Sequence, residues 1–175
     1  FNVGGQLALN LNCDLNENQD SIVNRKVLVV DDSPVDRQLV GGLVNSQPGW
    51  QVFFASNGAE ALEFLKNCNP DVILTDLLMP DVDGVELVQK IRKEFSKIPI
   101  ILMTAHGNEE LAVRVLRAGA ASYVPKKLLS IELHSTLNEV LSTLRNEKSI
   151  QIVQDALICH EVHFVLDNDI SHVSP

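Results

Sequence analysis

The chain has 175 residues, 45% of them hydrophobic and 21% charged, which suits a soluble globular protein with one cored domain and additional segments. Its formal net charge of −9 argues against direct nucleic-acid binding, because phosphate contacts need clustered Lys and Arg. No apolar run approaches the roughly 20 residues that cross a bilayer, and no basic segment precedes an apolar one at the N-terminus, so neither a membrane span nor a signal peptide is expected.

Residues 1–24 are rich in Asn, Gln and Gly, with leucines that keep no clear period, and read as a flexible N-terminal tail. The chain starts at Phe1 and not at Met, as a fragment would. Residues 26–30 (KVLVV) form the first firm strand, which ends in Asp31-Asp32. Ser33-Pro34 then opens a helix, since Ser caps and Pro suits the first helical position. Val35, Leu39, Val40, Leu43 and Val44 are expected to be its buried stripe, and Gly41-Gly42 to weaken it by about 1 kcal/mol each. After a Pro48-Gly49 turn, residues 51–55 form the second strand. Asn57 caps a short helix carrying Ala61, Leu62, Phe64 and Leu65.

The third strand is the centre of the pattern. Residues 72–84 read VILTDLLMPDVDG: a short apolar run typical of a strand buried on both faces, an abrupt stop at Asp76, then Pro80 and Gly84 punctuating a loop. Val85, Val88, Ile91 and Phe95 come next at helical spacing. Residues 98–103 (IPIILM) form a fourth strand ending at Thr104-Ala105, and a helix over 108–118 stops at Gly119. Residues 121–124 form a fifth strand, which leads to Pro125-Lys126. A last helix covers 130–146, with Leu133, Leu137, Val140, Leu141 and Leu144 on its apolar side. Strands alternating with helices at this spacing mean βαβ units, and right-handed crossovers align all five strand C-termini along one edge of a parallel sheet.

The cysteines, Cys13, Cys68 and Cys159, are widely separated without CxxC spacing, so neither a disulfide framework nor a zinc site is expected. Of the five histidines, His160 and His163 make a pair lacking a third ligand, and solvated surface histidines are the preferred reading.

Every chemically interesting residue falls at a strand C-terminus: Asp31 and Asp32, Asp76, Thr104, and Lys126. One such residue reads equally as a capping or strand-end group; four strand ends furnished this way read as a site. Carboxylates gathered there repel one another and call for a cation, and oxygen-only hard ligands favour Mg²⁺. Acidic groups beside a Lys and a Thr hydroxyl are equipped for a phosphoryl group, and Asp76, on the strand between those of Asp32 and Thr104, is the candidate nucleophile for an aspartyl phosphate.

Asp31-Asp32, Asp76 with LMPDVDG after it, Thr104-Ala105, and RAGAASYVPK ending at Lys126 together resemble the receiver domain of bacterial two-component response regulators, over about residues 26–145. The resemblance implies a doubly wound, flavodoxin-like α/β fold with a five-stranded parallel sheet of order 2-1-3-4-5 and a helical C-terminal extension. It implies domain bounds of 25–146, with 147–175 a linker helix and the start of a truncated output domain. It makes Asp76 the phosphoacceptor and places Mg²⁺ on Asp32, Asp76 and the Leu78 carbonyl, with Asp31 acting through water. Lys126 contacts the phosphoryl group, Thr104 is the switch hydroxyl, and Tyr123 the aromatic whose rotamer tracks it. The implied partner is a sensor histidine kinase or phosphotransfer protein, in a cytoplasmic setting, with no catalysis beyond the domain's own phosphorylation and dephosphorylation.

Simpler readings stand beside these. Tyr123 also fits plain strand packing, and Lys126 a solvated surface lysine. Asp81, Asp83 and Asp36 are assigned to turn and helix surface, and the acidity of Asp36 disfavours a nucleotide or flavin loop after the first strand. Ala112, Val113 and Leu116 offer a homodimer or partner face made with 121–124 and 130–145, or serve as core. Two positions depart from the family pattern. Lys127 stands where a cis proline is usual, which implies a trans bond in a reshaped loop or a strained cis bond costing about 2.5–4 kcal/mol. Leu78, paired with His106, flanks the path of attacking water, and its apolar side chain implies a long-lived phosphoform. Rival classes are an aspartate-nucleophile phosphatase of the haloacid dehalogenase type, which would want an acid at position 78, and a phosphorylation-independent docking module. No basic recognition helix comes after Arg145. Residues 160–175 faintly resemble the opening of an anti-sigma-type ATPase domain, without the helix that would bind ATP.

Overall fold

The computed structural model describes residues 24–80, 84–105, 109–146 and 149–150. The readings made for residues 1–23, Asp81, Asp83, His106, His160, His163 and the segment after Ile150 lie outside these. The chain divides into two compact units, Phe1–Leu137 and Asn138–Pro175. The described elements of the first unit run β1 (Arg25–Val30), α1 (Pro34–Asn45), β2 (Trp50–Ala55), α2 (Gly58–Asn67), β3 (Val72–Asp76), α3 (Gly84–Glu94), β4 (Ile100–Thr104), α4 (Glu109–Arg117) and β5 (Ser122–Pro125). A 3₁₀ turn over Lys126–Leu128 leads into α5, residues 129–146, whose last residues from 138 fall in the second unit. Among the described residues no helix is long and apolar enough to cross a membrane.

The five strands form one parallel sheet in the order β2-β1-β3-β4-β5, as expected from the alternation of strands and helices. Strands β3 and β4 are buried along their whole length, and so are the last four residues of β1. Helices cover both faces of these strands, so their side chains need no polar alternation. Local signals set the helix starts. The Ser33 hydroxyl accepts from the Asp36 N–H at 3.2 Å with Pro34 next in line, and the Asn57 side chain accepts from the Glu60 N–H at 2.9 Å. The turn at Gly49 (φ +86°) and the end of α4 at Gly119 (φ +103°) use the left-handed backbone that glycine favours.

Several details differ from the sequence pattern. On α1, Val40, Gly41 and Val44 face inward, while Val35 and Leu39 are mostly exposed. The reason is steric: a Cβ at Gly41 would stand 2.5 Å from the Phe54 ring, so the bare backbone there brings this face of the helix against β2. Gly84 is needed for close approach rather than for an unusual φ. A Cβ there would meet the Asp76 carbonyl oxygen and lie 2.8 Å from the Leu77 Cα, and its N–H donates to the Leu77 carbonyl at 2.8 Å. His134 is not a solvated surface residue: its Nε2 lies 2.8 Å from the Leu43 carbonyl and 3.1 Å from the Ser46 hydroxyl, tying α5 to the end of α1. Cysteine spacing argues against a disulfide framework, yet Cys68, buried after α2, is disulfide-bonded. Folding can join cysteines that are far apart in sequence. The Lys126–Lys127 bond is trans, the reshaped-loop alternative, and the 3₁₀ turn closes with the Leu129 N–H on the Lys126 carbonyl.

Two of the glycines should behave oppositely. Gly84→Ala forces a methyl against backbone that cannot yield and should lower stability by about 1–3 kcal/mol. Gly42→Ala, with nothing within 4 Å of the new Cβ, should raise it by about 0.5–1 kcal/mol through helix propensity. Urea unfolding midpoints of the two variants check both signs.

Candidate functional site

Register decides what meets at the sheet's carboxyl edge. Val30 pairs with Thr75, Asp76 with Met103, and Thr104 with Pro125. Asp31, one residue past its strand, therefore comes level with Asp76, and Lys126 is the next residue after the one opposite Thr104. Backbone bonds continue the ladder past the strand ends, from the Asp31 N–H to the Ala55 carbonyl and from the Leu77 N–H to the Met103 carbonyl.

The side chains converge accordingly. Carboxylate oxygens of Asp31, Asp32 and Asp76 lie within 4.8 Å of one another. The Lys126 ammonium donates to Asp31 Oδ2 at 2.8 Å, Asp76 Oδ2 at 3.1 Å and Asp36 Oδ2 at 2.6 Å. Asp31 is fully buried and its other oxygen accepts the Ser33 N–H at 2.9 Å. Asp76 is buried, with Oδ1 accepting the Leu77 N–H at 2.8 Å. Asp32 is exposed at the rim. The Arg37 guanidinium donates to the carbonyls of Asp31 and Asp32, which pins the turn between β1 and α1.

Burial raises the Asp76 carboxyl above the ordinary carboxylate range; Lys126 pulls the other way and Asp31 adds to the rise. Lys126 is pushed up from its ordinary value because its hydrogen bonds to Asp31, Asp36 and Asp76 outweigh its own burial. Three carboxylates thus share the Lys126 ammonium with a fourth, Asp32, beside them, while the Arg37 guanidinium is held on backbone carbonyls.

Of the residues read from the sequence, the fold gathers Asp31, Asp32, Asp76 and Lys126. Lys126 is not a solvated surface lysine. Thr104 is buried at the end of β4, one residue past the partner of Asp76. Tyr123 is half-buried and packs against the hydrophobic core. Leu78 is exposed just beyond the end of β3. Val113 and Leu116 on α4 are also exposed, while Val115 between them is the core residue of that helix. Asp36 is the residue sequence reasoning misplaced, because it belongs to the site and not merely to the helix surface. The available signal was its position in the first turn of α1, the turn that begins at the edge where β1 ends.

The family model described as response regulator receiver domain matches residues 27–138, well over half the chain. Regulatory protein AtoC of Escherichia coli (strain K12) is 35% identical over 135 residues, 77% of this chain and 29% of that protein. A Chemotaxis protein CheY homolog of Campylobacter jejuni is 36% identical over 121 residues, 67% of this chain and 93% of that protein. The structure of the Francisella response regulator 1452 receiver domain is similar at a TM-score of 0.64 and 31% identity, over 69% of this chain and 98% of that one. The chain spans less than a third of the first curated relative, so the match concerns one domain of such longer proteins. Sheet order, family match and relatives agree: this chain belongs to the response regulator receiver domains of two-component signalling.

Proposed function

We propose that the chain is a phosphorylation-dependent signalling switch that accepts a phosphoryl group on Asp76 from a phosphohistidine of a sensor histidine kinase or phosphotransfer protein. The observation that carries this is the Lys126 ammonium 3.1 Å from a buried Asp76 carboxylate, at the edge where Asp31 and Asp32 also stand. An Asp76 oxygen attacks phosphorus, the new O–P bond forms as the P–N bond breaks, and the electron pair leaves on the imidazole nitrogen. Lys126 donates to the transferred oxygens and steadies their charge. Domain bounds of 25–146 belong to the same reading.

The donor set fits a hard divalent cation: three carboxylates supply only oxygen, close together, in a site with excess negative charge. Asp32 and Asp76, with the Leu78 carbonyl, would hold Mg²⁺, and Asp31 would act through water. When bound, the ion neutralises charge on the phosphoryl oxygens. The added phosphoryl charge draws Thr104 and Lys126 inward, Tyr123 turns into the space vacated, and the surface of α4 and β5 changes as a population shift. Exposed Val113 and Leu116 make that face suitable for a homodimer or partner. A cytoplasmic setting goes with the kinase partner. The phosphatase alternative lacks the acid it needs at Leu78, and a docking module would not need the Lys126 cluster. Apart from its own phosphorylation and dephosphorylation, no catalysis is assigned to the chain.

Incubation with acetyl phosphate and Mg²⁺ should add one phosphoryl group, lost in Asp76→Asn and without the ion; peptide mass spectrometry placing it elsewhere refutes the proposal. Linkage gives a second outcome. The raised pKa means the folded chain holds the Asp76 proton more tightly than the unfolded chain. This carboxyl therefore contributes stability that is fully present below its unfolded pKa and lost as pH rises through its folded one. In chelator, Asp76→Asn should melt above wild type at neutral pH, with the gap closing as pH falls through the raised pKa; a gap independent of pH contradicts it. Leu78→Asn, by replacing an apolar group with one able to orient water, should speed loss of the phosphoryl group severalfold; an unchanged decay rate counts against the role given to Leu78.

A further inference from the structure

We propose that Asp36 is a displaceable gate on Lys126: it occupies the lysine before phosphorylation and competes for it with the phosphoryl group on Asp76. This rests on the phosphoacceptor reading of Asp76. An ammonium has three N–H donors, and all three are taken, by Asp31, Asp36 and Asp76. A phosphoryl group on Asp76 inherits the bond that Asp76 now accepts, and each further bond from the ammonium to its oxygens displaces Asp31 or Asp36.

Burial identifies which. The Asp31 side chain is 0% exposed, so its carboxylate cannot exchange the lysine for water. The Asp36 side chain is 36% exposed and can be solvated once it turns away. Its backbone need not move, because the Asp36 N–H stays on the Ser33 cap while the carboxylate rotates about its own side chain.

Electrostatics favours the same exchange. The shared ammonium holds the oxygens of Asp36 and Asp76 within about 6 Å of each other. A phosphoryl group adds close to two negative charges at Asp76 and repels Asp36, while it competes for the same donor. Asp36 therefore stabilises the unmodified state and opposes its modification. It acts through Lys126 and is a positioning residue.

The test measures Asp76 phosphorylation rates in the full chain with Mg²⁺ and acetyl phosphate, in which the O–P bond to Asp76 forms as the bond to acetate breaks and acetate departs with the electron pair. Asp36→Asn and Asp36→Ser should be modified roughly threefold to tenfold faster than wild type, and Asp36→Glu, which keeps the charge, should stay close to wild type. Damage to the fold would slow the reaction, so faster modification separates gating from a structural role. Rates in the Asn and Ser variants at or below that of wild type overturn the gate, as does a Glu variant as fast as the Asn one. Failure of wild type to be modified at Asp76 overturns the phosphoacceptor reading itself, a different result from a modified wild type whose rate ignores position 36.

Discussion

Charge compensation by a single ammonium is what allows carboxylates to share the edge of a buried parallel sheet. Asp31 and Asp76 are both nearly out of contact with solvent, and each would be costly there as an isolated anion. Lys126 reaches them from the end of β5, across the strand that lies between β3 and β5. Its bonds, with the backbone N–H groups of Ser33 and Leu77, give both buried carboxylates a charged and a polar partner. A site assembled this way is held in tension: attraction to one cation against repulsion among the anions. Tension of this kind makes a good switch, because adding or removing charge redistributes the partners without rebuilding the fold.

The scaffold supplies the rigidity that the site lacks. Wholly buried β3 and β4 carry Asp76 and Thr104 at their ends, and their register leaves no freedom in how these residues stand relative to each other. Gly84 allows the chain after β3 to return close over the Asp76 carbonyl, so the loop beyond Asp76 starts from a fixed point. Around this core Asp36 and Leu78 stand partly in solvent at the mouth, and Tyr123 is half-buried on the flank.

Relatives within the same family differ in how much chain they add to the receiver. AtoC is matched by this chain over 29% of its length, whereas the Campylobacter CheY homolog is matched over 93%. The receiver is therefore a unit separable from any particular output.

The sequence by itself determined the order of strands and helices, the caps at Ser33 and Asn57, the parallel sheet, and the strand-end positions of Asp31, Asp32, Asp76, Thr104 and Lys126. These arise from local propensity and periodicity, which act within a few residues. Only the tertiary structure decided that Val35 and Leu39 face solvent, since the inward face of α1 depends on Phe54 meeting Gly41 across the helix–sheet interface. It likewise decided that Asp36 shares Lys126, that His134 ties α5 to α1, and that Cys68 is paired. Each of these contacts joins residues distant in the chain, and a partner chosen by packing leaves no mark in local spacing.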